Sequence, residues 1–235
     1  MPSYGAVFQN PFTVLVSIHA INLEQTLENI AIARTCGADG AFLVCLEKDP
    51  ASFHQLFIAA KERHPDFWLG AEYACLTSIE ALKSAAMVKP DGAWLEDIGY
   101  EEYAANSTME AEFLWEYHLE HCGNGMLLFA SVAPKQRPVN SISLAAKCIA
   151  PFCDVMMASG AKSGTPPNIE KVRMIKRALS ERKTPVGVAN GATPGNIREY
   201  RSEANLAIVR SSITETGKEK IVPELLHRLM QAARN

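Results

Sequence analysis

The chain has 235 residues, of which 48% are hydrophobic and 21% are charged. This composition supports a large buried core and excludes a wholly disordered protein. The 23 basic residues are outnumbered by 26 acidic residues. Because nucleic-acid-binding proteins usually carry a net basic charge, we expect no nucleic-acid partner.

The hydrophobic pattern indicates neither membrane insertion nor secretion. The longest early apolar run, residues 12–21, is too short to cross a bilayer and is interrupted by polar residues. It has neither the basic flank nor the cleavage-site pattern of a signal peptide. The six cysteines form no C-x-x-C pair, so we interpret them as reduced thiols. The sequence therefore predicts a cytoplasmic protein that is not inserted in a membrane.

Short apolar segments alternate with longer segments of helical periodicity along the whole chain. The apolar segments predict eight strands, at residues 13–19, 40–45, 67–73, 92–96, 126–130, 154–158, 185–189 and 206–209. They are continuously apolar, which is typical of parallel strands buried on both faces. The predicted fold is a (β/α)₈ TIM barrel, and a doubly wound open sheet is the alternative. Because no linker-like stretch divides the chain, residues 1–235 are predicted to form one domain.

Three helix starts can be read from capping residues. Asn22 is a candidate N-cap, and Thr77 and Glu80 have the spacing of a capping box. Thr193 stands directly before Pro194, which predicts a helix whose first residue is the proline.

An internal repeat supports a barrel made of paired units. Residues 39–43 and 91–95 share the pattern Asp-Gly-Ala, aromatic residue, Leu, and weaker copies begin at residues 153 and 204. In each copy a short polar residue ends the turn before an even-numbered strand. The pattern therefore indicates four strand pairs around one barrel.

Candidate catalytic residues follow the predicted strands, because functional side chains in this fold gather at the carboxyl ends of the strands. His19, Glu47, Glu72 and Glu96 occupy such positions. A carboxylate with a raised pKa, or an imidazole, could act as the general base, and His19 is the preferred single candidate. Alternatively, Glu96 and Asp97 could cap the next helix or bind Mg²⁺.

Candidate phosphate-binding residues lie after strands six, seven and eight. These loops supply glycines, hydroxyl groups, an amide and a basic side chain, which suit an anionic ligand. The predicted binding residues are Ser159, Gly160, Ser163, Gly164, Asn190, Gly191, Thr193, Arg210 and Ser211. Lys162 could bind an anion or form a Schiff base, Lys135 is the second candidate for an imine, and ordinary turns are the alternative.

The last third of the chain resembles the BtpA family, whose TIM barrels are grouped with the ribulose-phosphate-binding superfamily. The resemblance rests on the motifs at residues 159–167, 190–196 and 207–209, with weaker similarity at His19 and residues 37–40. It implies a barrel with a phosphate-type pocket, and it implies a role in photosystem I biogenesis for some members.

Two positions depart from this family. After the fifth strand, where members tend to carry Asp and His, this chain has Ser131 and Ala133. After the eighth strand Arg210 stands where members tend to have glycine. Its guanidinium could contact a phosphate or fill the space that phosphate would occupy.

The combined prediction is a cytoplasmic enzyme that acts on a small phosphorylated metabolite. Lyase, aldolase or isomerase chemistry would fit, because proton abstraction beside a carbonyl requires a carboxylate and an electrophilic stabiliser. The alternative is a non-catalytic BtpA-like biogenesis factor. A homodimer is the default expectation for such a barrel.

Overall fold

The computed structural model describes residues 3–123, 125–134, 136–160, 165–215 and 218–235. Within these residues eight parallel strands alternate with helices, and the sheet closes because β1 pairs with both β2 and β8. The predicted (β/α)₈ TIM barrel is confirmed, and the open sheet is excluded.

The strands and helices follow the order expected for this fold. The strands are β1 (Thr13–His19), β2 (Gly40–Cys45), β3 (Trp68–Tyr73), β4 (Gly92–Leu95), β5 (Leu127–Val132), β6 (Val155–Ser159), β7 (Val186–Ala189) and β8 (Leu206–Val209). The helices are α1 (Tyr4–Val7), α2 (Leu23–Thr35), α3 (Ala51–Arg63), α4 (Ser78–Val88), α5 (Met109–His121), α6 (Ile142–Ile149), α7 (Ile169–Ala178), α8 (Ile197–Glu203) and α9 (Pro223–Arg234). A 3₁₀ turn, Ala150–Phe152, precedes β6. None of the helices within the described residues is long and apolar enough to cross a bilayer.

The inside of the barrel is a packed aromatic core. Alternate side chains of each strand point inward because strand side chains alternate between the two faces. The ring of Phe42 meets the rings of Trp68 and Phe129 edge-on, with centroids 5.1 Å apart in both pairs. Gly70 leaves the space for Phe42, since a Cβ atom there would lie 2.4 Å from the ring. The barrel therefore has a solid floor beneath its carboxyl end.

The internal repeat corresponds to a hydrogen-bonded clamp at the amino end of the barrel. The residue before each even-numbered strand forms two hydrogen bonds to the preceding odd-numbered strand. Its side chain accepts one bond from a backbone N–H of that strand, and its own backbone N–H donates the other to a carbonyl oxygen of that strand. The side-chain bonds are Val14 N to Asp39 Oδ2, Leu69 N to Asp91 Oδ2, Leu128 N to Asp154 Oδ2 and Val186 N to Asn205 Oδ1, at 2.6–2.9 Å. A short polar side chain is thus required once for each strand pair.

Helix α1 covers this amino end. The Tyr4 hydroxyl lies 2.7 Å from Thr13 Oγ1 and 3.0 Å from the carbonyl oxygen of Asn205. Phe8, directly after the helix, packs on Trp68 with ring centroids 5.3 Å apart. The cavities described below lie at the opposite, carboxyl end.

Two of the predicted helix caps are confirmed and the third is wrong. Asn22 Oδ1 accepts a hydrogen bond from Gln25 N at 2.9 Å, and the Thr77–Glu80 capping box is present. Helix α8 begins at Ile197 and not at Pro194. The physical reason is that Asn196 Oδ1 accepts a bond from Thr193 N at 2.7 Å, which closes a separate turn before the helix.

Candidate functional site

A cavity of about 390 Å³ lies at the carboxyl ends of the strands. On one side of this central cavity, residues that follow or end β1, β6, β7 and β8 form a donor wall, defined as His19, Ser159, Asn190, Arg210 and Ser211. The other side contains an acidic wall, defined as Glu72 and Glu96. Gly160 also lines the cavity. The structure therefore brings together eight of the residues predicted from the sequence.

Strand alternation explains why these side chains reach the cavity. Glu96 lies two positions after the inward-facing Trp94, and Arg210 lies two positions after Ile208 in the same barrel core. His19 follows Leu15 by four positions, so it also has the inward orientation. Each side chain continues the inner face of its strand into the mouth of the barrel.

Glu219 contacts both Arg210 and His19 of the donor wall, although the sequence did not identify it as a site residue. Its carboxylate forms an ion pair with the Arg210 guanidinium, and His19 Nδ1 lies 3.1 Å from Glu219 Oε2. The His19 contact is a close approach without the angular alignment of a full hydrogen bond. An acidic side chain of this protein therefore occupies the position where an anionic ligand would meet Arg210.

The charges of this network change the pKa of both titratable members. Burial, followed by the positive charge of Arg210, lowers the pKa of His19, and Glu219 offsets this only in part. Burial raises the pKa of Glu219. The hydrogen bond from Arg210 and the charges of His19 and Arg210 lower this pKa by a larger amount. The net pKa of Glu219 is below its ordinary value, so the neutral imidazole and the carboxylate are the dominant forms at neutral pH.

Asn29, in the barrel-facing side of α2, holds Glu219 in place. Asn29 is fully buried, and its Nδ2 donates to the carbonyl oxygen of Glu219 at 2.9 Å. Its Oδ1 accepts a bond from Ile221 N, also at 2.9 Å. This pair of bonds joins residues separated by about 190 positions, which explains why no local sequence pattern indicated Glu219.

Two hydrogen bonds fix side chains at the acidic wall, one at Trp94 beneath it and one at Glu96 itself. Trp94 is buried at the cavity floor, and its Nε1 donates to Ser131 Oγ at 3.1 Å. Gln136 Nε2 donates to Glu96 Oε2 at 3.1 Å. A second cavity of about 310 Å³ shares Glu72 and Glu96 and extends toward α4.

Asp97, one of the two alternative Mg²⁺ ligands predicted from the sequence, accepts hydrogen bonds from Arg137 and Gly99. Its Oδ2 accepts a bond from Arg137 Nε at 2.9 Å, and its Oδ1 accepts one from Gly99 N at 2.8 Å. In the part of the chain that the structure describes, no group of three or more His, Cys, Asp or Glu side chains could hold a metal ion.

Three predicted site residues lie away from the central cavity. Glu47 is exposed in the loop after β2, where Val44 and Leu46 have the inward orientation and line the cavity instead. Gly191 and Thr193 are absent from its lining, and Thr193 N already bonds to Asn196. Glu47, Gly191 and Thr193 therefore do not line the central cavity, and their catalytic and phosphate-binding roles stay predictions from the sequence.

The predicted residues Lys162, Ser163 and Gly164 lie outside the described residues, as does Lys135.

Gly160 and Gly191 both leave space for the end of the loop after β6, Gly160 within that loop and Gly191 in the loop after β7. A Cβ atom at Gly160 would lie 1.9 Å from the Thr165 carbonyl oxygen, and one at Gly191 would lie 2.2 Å from Pro166 N. Gly191 also has a φ of +69°, in the left-handed region. Pro166, which precedes α7, therefore packs directly against Gly191 in the loop after β7.

Replacing Gly191 with alanine should destabilise the protein by at least about 1–2 kcal/mol, because a left-handed alanine is strained even without the clash. Gly195→Ala is the matched control, since its nearest non-neighbouring atom would be 3.7 Å away, and it should cost less than about 0.5 kcal/mol. Urea unfolding of both variants measures the difference. Equal stability of the two variants would contradict the loop contact.

Solved structures of the same fold cover almost the whole chain. Thiamine phosphate pyrophosphorylase from Pyrococcus furiosus aligns with a TM-score of 0.66 and 17% identity over 96% of each chain. Phosphoribosyl anthranilate isomerase from Thermus thermophilus aligns with a TM-score of 0.62 and 17% identity over 94% of this chain and 97% of that one. A truncated 3-deoxy-D-arabino-heptulosonate 7-phosphate synthase from Thermotoga maritima gives a TM-score of 0.62 and 14% identity over 94% of this chain and 85% of that one.

These similarities establish the fold. No known protein family and no curated protein sequence matches the chain. Membership of the BtpA family therefore stays a prediction from the sequence motifs.

Proposed function

We propose that this protein is an enzyme that binds a small phosphorylated metabolite in the central cavity and abstracts a proton beside its carbonyl group. The observation that carries the proposal is the arrangement of two chemically opposite walls around one cavity. Arg210 and neutral donors stand on one side, and Glu72 and Glu96 stand on the other. Such a cavity can hold the anionic end of a substrate away from the groups that react.

The donor wall supplies the phosphate end of the site. A guanidinium can donate two parallel hydrogen bonds to a phosphate, and each charge-assisted bond is stronger than a neutral one. The hydroxyl of Ser211 and the amide of Asn190 line the cavity beside it. Substrate phosphate would take the place of the Glu219 carboxylate on Arg210, so one anion replaces another and the guanidinium is never left without a counter-charge.

The acidic wall supplies the proton acceptor. Glu72 or Glu96 would remove a proton from the carbon next to the carbonyl, which leaves negative charge on the carbonyl oxygen. His19 lines the same cavity and, with its lowered pKa, is neutral at pH 7. A neutral imidazole can donate a hydrogen bond to the developing enolate oxygen. Lyase, aldolase and isomerase reactions can all begin with this step.

The names of the similar structures support the same class of substrate. They refer to thiamine phosphate, to phosphoribosyl anthranilate and to a heptulosonate 7-phosphate. We infer a phosphorylated small molecule from this shared feature and from the donor wall. The single domain, the homodimer and the cytoplasmic location stay predictions from the sequence, and Mg²⁺ binding stays one of its alternatives.

Solvent deuterium exchange tests the proposal even while the complete reaction and its products are unidentified. The protein is incubated in D₂O with phosphorylated aldehydes, ketones and 2-oxo acids, and ¹H NMR follows the loss of the proton beside each carbonyl. We expect exchange in at least one compound, and a decrease of about 10²- to 10⁴-fold in Glu72→Gln or Glu96→Gln, because general-base catalysis contributes that much.

Glu47→Gln is the matched control, because Glu47 lies outside the cavity, and its exchange rate should equal that of the wild type. Absence of exchange across the panel, or an equal loss in Glu47→Gln, would overturn the proposal.

A non-catalytic role, as the resemblance to BtpA-like biogenesis factors implies, is the second candidate. It is favoured by the ion pair that already satisfies Arg210, and by the exposed apolar residues Met109 and Phe113 one turn apart on α5. It predicts no proton exchange and no effect of the Glu72 and Glu96 substitutions.

A further inference from the structure

Ser159 carries an inward-facing hydroxyl at the floor of the central cavity. It has the same phase along β6 as Val155 and Met157, which belong to the core inside the barrel. Ser159 is only 7% exposed, whereas Arg210 is half-buried and Ser211 is exposed. Ser159 therefore lies deeper in the cavity than the groups proposed to bind phosphate.

The Ser159 hydroxyl has no hydrogen-bond partner among the described residues. Ser131, another inward-facing serine, shows the satisfied arrangement, because its Oγ accepts a hydrogen bond from Trp94 Nε1. A buried hydroxyl without a partner costs free energy, and such groups are rare in folded proteins. The cavity thus presents a polar group whose missing partner a ligand can supply.

The position of Ser159 around the barrel places it between the two walls of the proposed site. Glu72 belongs to β3, Glu96 follows β4, and Arg210 follows β8. In the closed order of strands, β6 lies between β4 and β8. All of these residues line the central cavity. A substrate that extends across this cavity from Arg210 to the acidic wall therefore has Ser159 beside its middle part.

The backbone of Ser159 is held in place by two neighbouring elements. Its carbonyl oxygen accepts a hydrogen bond from Lys171 Nζ at 3.0 Å, and the same ammonium group donates to the carbonyl oxygen of Ala133, also at 3.0 Å. Ser159 also pairs in register with Ala189 of β7. A donor that is already fixed needs no rearrangement when charge develops beside it, and such donors stabilise transition states most effectively.

We propose that Ser159 is a catalytic residue whose hydroxyl donates a hydrogen bond to the carbonyl oxygen of the substrate. In the proton abstraction proposed above, the C–H bond breaks, its proton passes to Glu72 or Glu96, and its electron pair forms an enolate with negative charge on that oxygen. The Ser159 O–H bond stays intact, and its hydrogen bond strengthens as the charge develops. This role rests on the proposed function and makes Ser159 a second donor beside His19, in place of the phosphate contact expected from the sequence.

The kinetics of deuterium exchange in Ser159→Ala test this role. We expect kcat for exchange to fall by about 10- to 100-fold, the effect of losing a hydrogen bond to a charged group. KM should stay close to that of the wild type, because the phosphate contacts remain. Ser211→Ala should instead raise KM, because it removes a group from the phosphate end of the cavity. An equal kcat in Ser159→Ala and the wild type would overturn the proposal.

Ser84→Ala is the matched control for the loss of a buried hydroxyl. Ser84 is also 7% exposed, but it lies in α4 and does not line the central cavity. Its substitution should leave kcat and KM unchanged, and an equal loss of kcat in both variants would contradict a specific role of Ser159.

Urea unfolding provides a readout that does not depend on activity. Ser159→Ala should unfold at the same urea concentration as the wild type or at a higher one, because the substitution removes a buried hydroxyl without a partner. Lower stability of Ser159→Ala would show that the protein itself already satisfies this hydroxyl, and the proposal would then fail.

Binding of phosphoglycolohydroxamate separates this inference from the proposed function. The compound joins a phosphate to a hydroxamate, whose oxygens resemble those of an enolate. By calorimetry, Ser159→Ala should bind it about tenfold more weakly than the wild type does, and both proteins should bind inorganic phosphate equally.

The outcomes of the two assays differ for the two proposals. If the wild type shows no exchange while the difference in hydroxamate binding is present, the proposed reaction fails and Ser159 stands as the ligand of the carbonyl-type oxygen. If the wild type shows exchange that Ser159→Ala leaves unchanged, the role of Ser159 alone fails. Equal hydroxamate affinity in the two proteins, or no binding to the wild type, also overturns that role.

Discussion

Arg210→Gln is expected to weaken the binding of inorganic phosphate to the central cavity by about 10- to 100-fold, because a charge-assisted hydrogen bond contributes roughly 1.5–3 kcal/mol. The same substitution should raise the pKa of His19, since the positive charge of Arg210 is one cause of its lowering. Calorimetry measures the affinity, and NMR titration of the imidazole measures the pKa.

Glu219→Gln is the complementary variant, because it should change the phosphate affinity and the pKa of His19 in the opposite directions. Without the internal carboxylate, Arg210 meets no competitor, so phosphate affinity should increase. The pKa of His19 should fall further, since Glu219 acts to raise it. A purely structural ion pair would instead leave phosphate affinity unchanged in both variants, and that result would exclude the donor wall as the phosphate site.

The stability of the protein should decrease as the pH falls below about 6.5 because of His118. This side chain of α5 is fully buried, and neither ring nitrogen has a hydrogen-bond partner within the described residues. Burial lowers its pKa from 6.5 to about 4. Between these values the unfolded chain binds a proton that the folded chain does not, so acid favours unfolding. The expected loss by pH 4 is about 3 kcal/mol.

Urea unfolding at pH 7 and pH 4 measures this effect as the difference between the wild type and His118→Leu. The leucine variant should lose less stability on acidification, whatever its stability at pH 7. His227→Leu, at an exposed position of α9, should lose as much stability between pH 7 and pH 4 as the wild type. If His118→Leu retains the full pH dependence, the buried imidazole is not its source.

Local patterns predicted the strands to within two residues because each strand is buried on both faces and is continuously apolar. The repeat before the even-numbered strands was also recognised from the sequence, since each copy forms the same hydrogen bonds. The start of α8 was predicted wrongly, because the side chain of Asn196 accepts a bond from Thr193 N and closes a separate turn before the helix.

Strand alternation explains which of the predicted site residues line the central cavity. Phe42 points into the barrel, so Val44 and Leu46 share its face and Glu47 does not. The first polar residue after the strand lines the central cavity at Glu96 and Arg210, where it has the inward phase, and does not line it at Glu47, where it has the outward phase.

By itself, the sequence determined the barrel, its strand pairs and most of the polar residues around its mouth, because these follow from hydrophobic patterns within each segment. Only the tertiary structure decided that Glu219 binds Arg210, that Asn29 donates a hydrogen bond to the carbonyl oxygen of Glu219, and that Gly191 packs against Pro166. Each of these contacts joins different loops or elements, and their approach depends on the closure of the barrel, which no local pattern records.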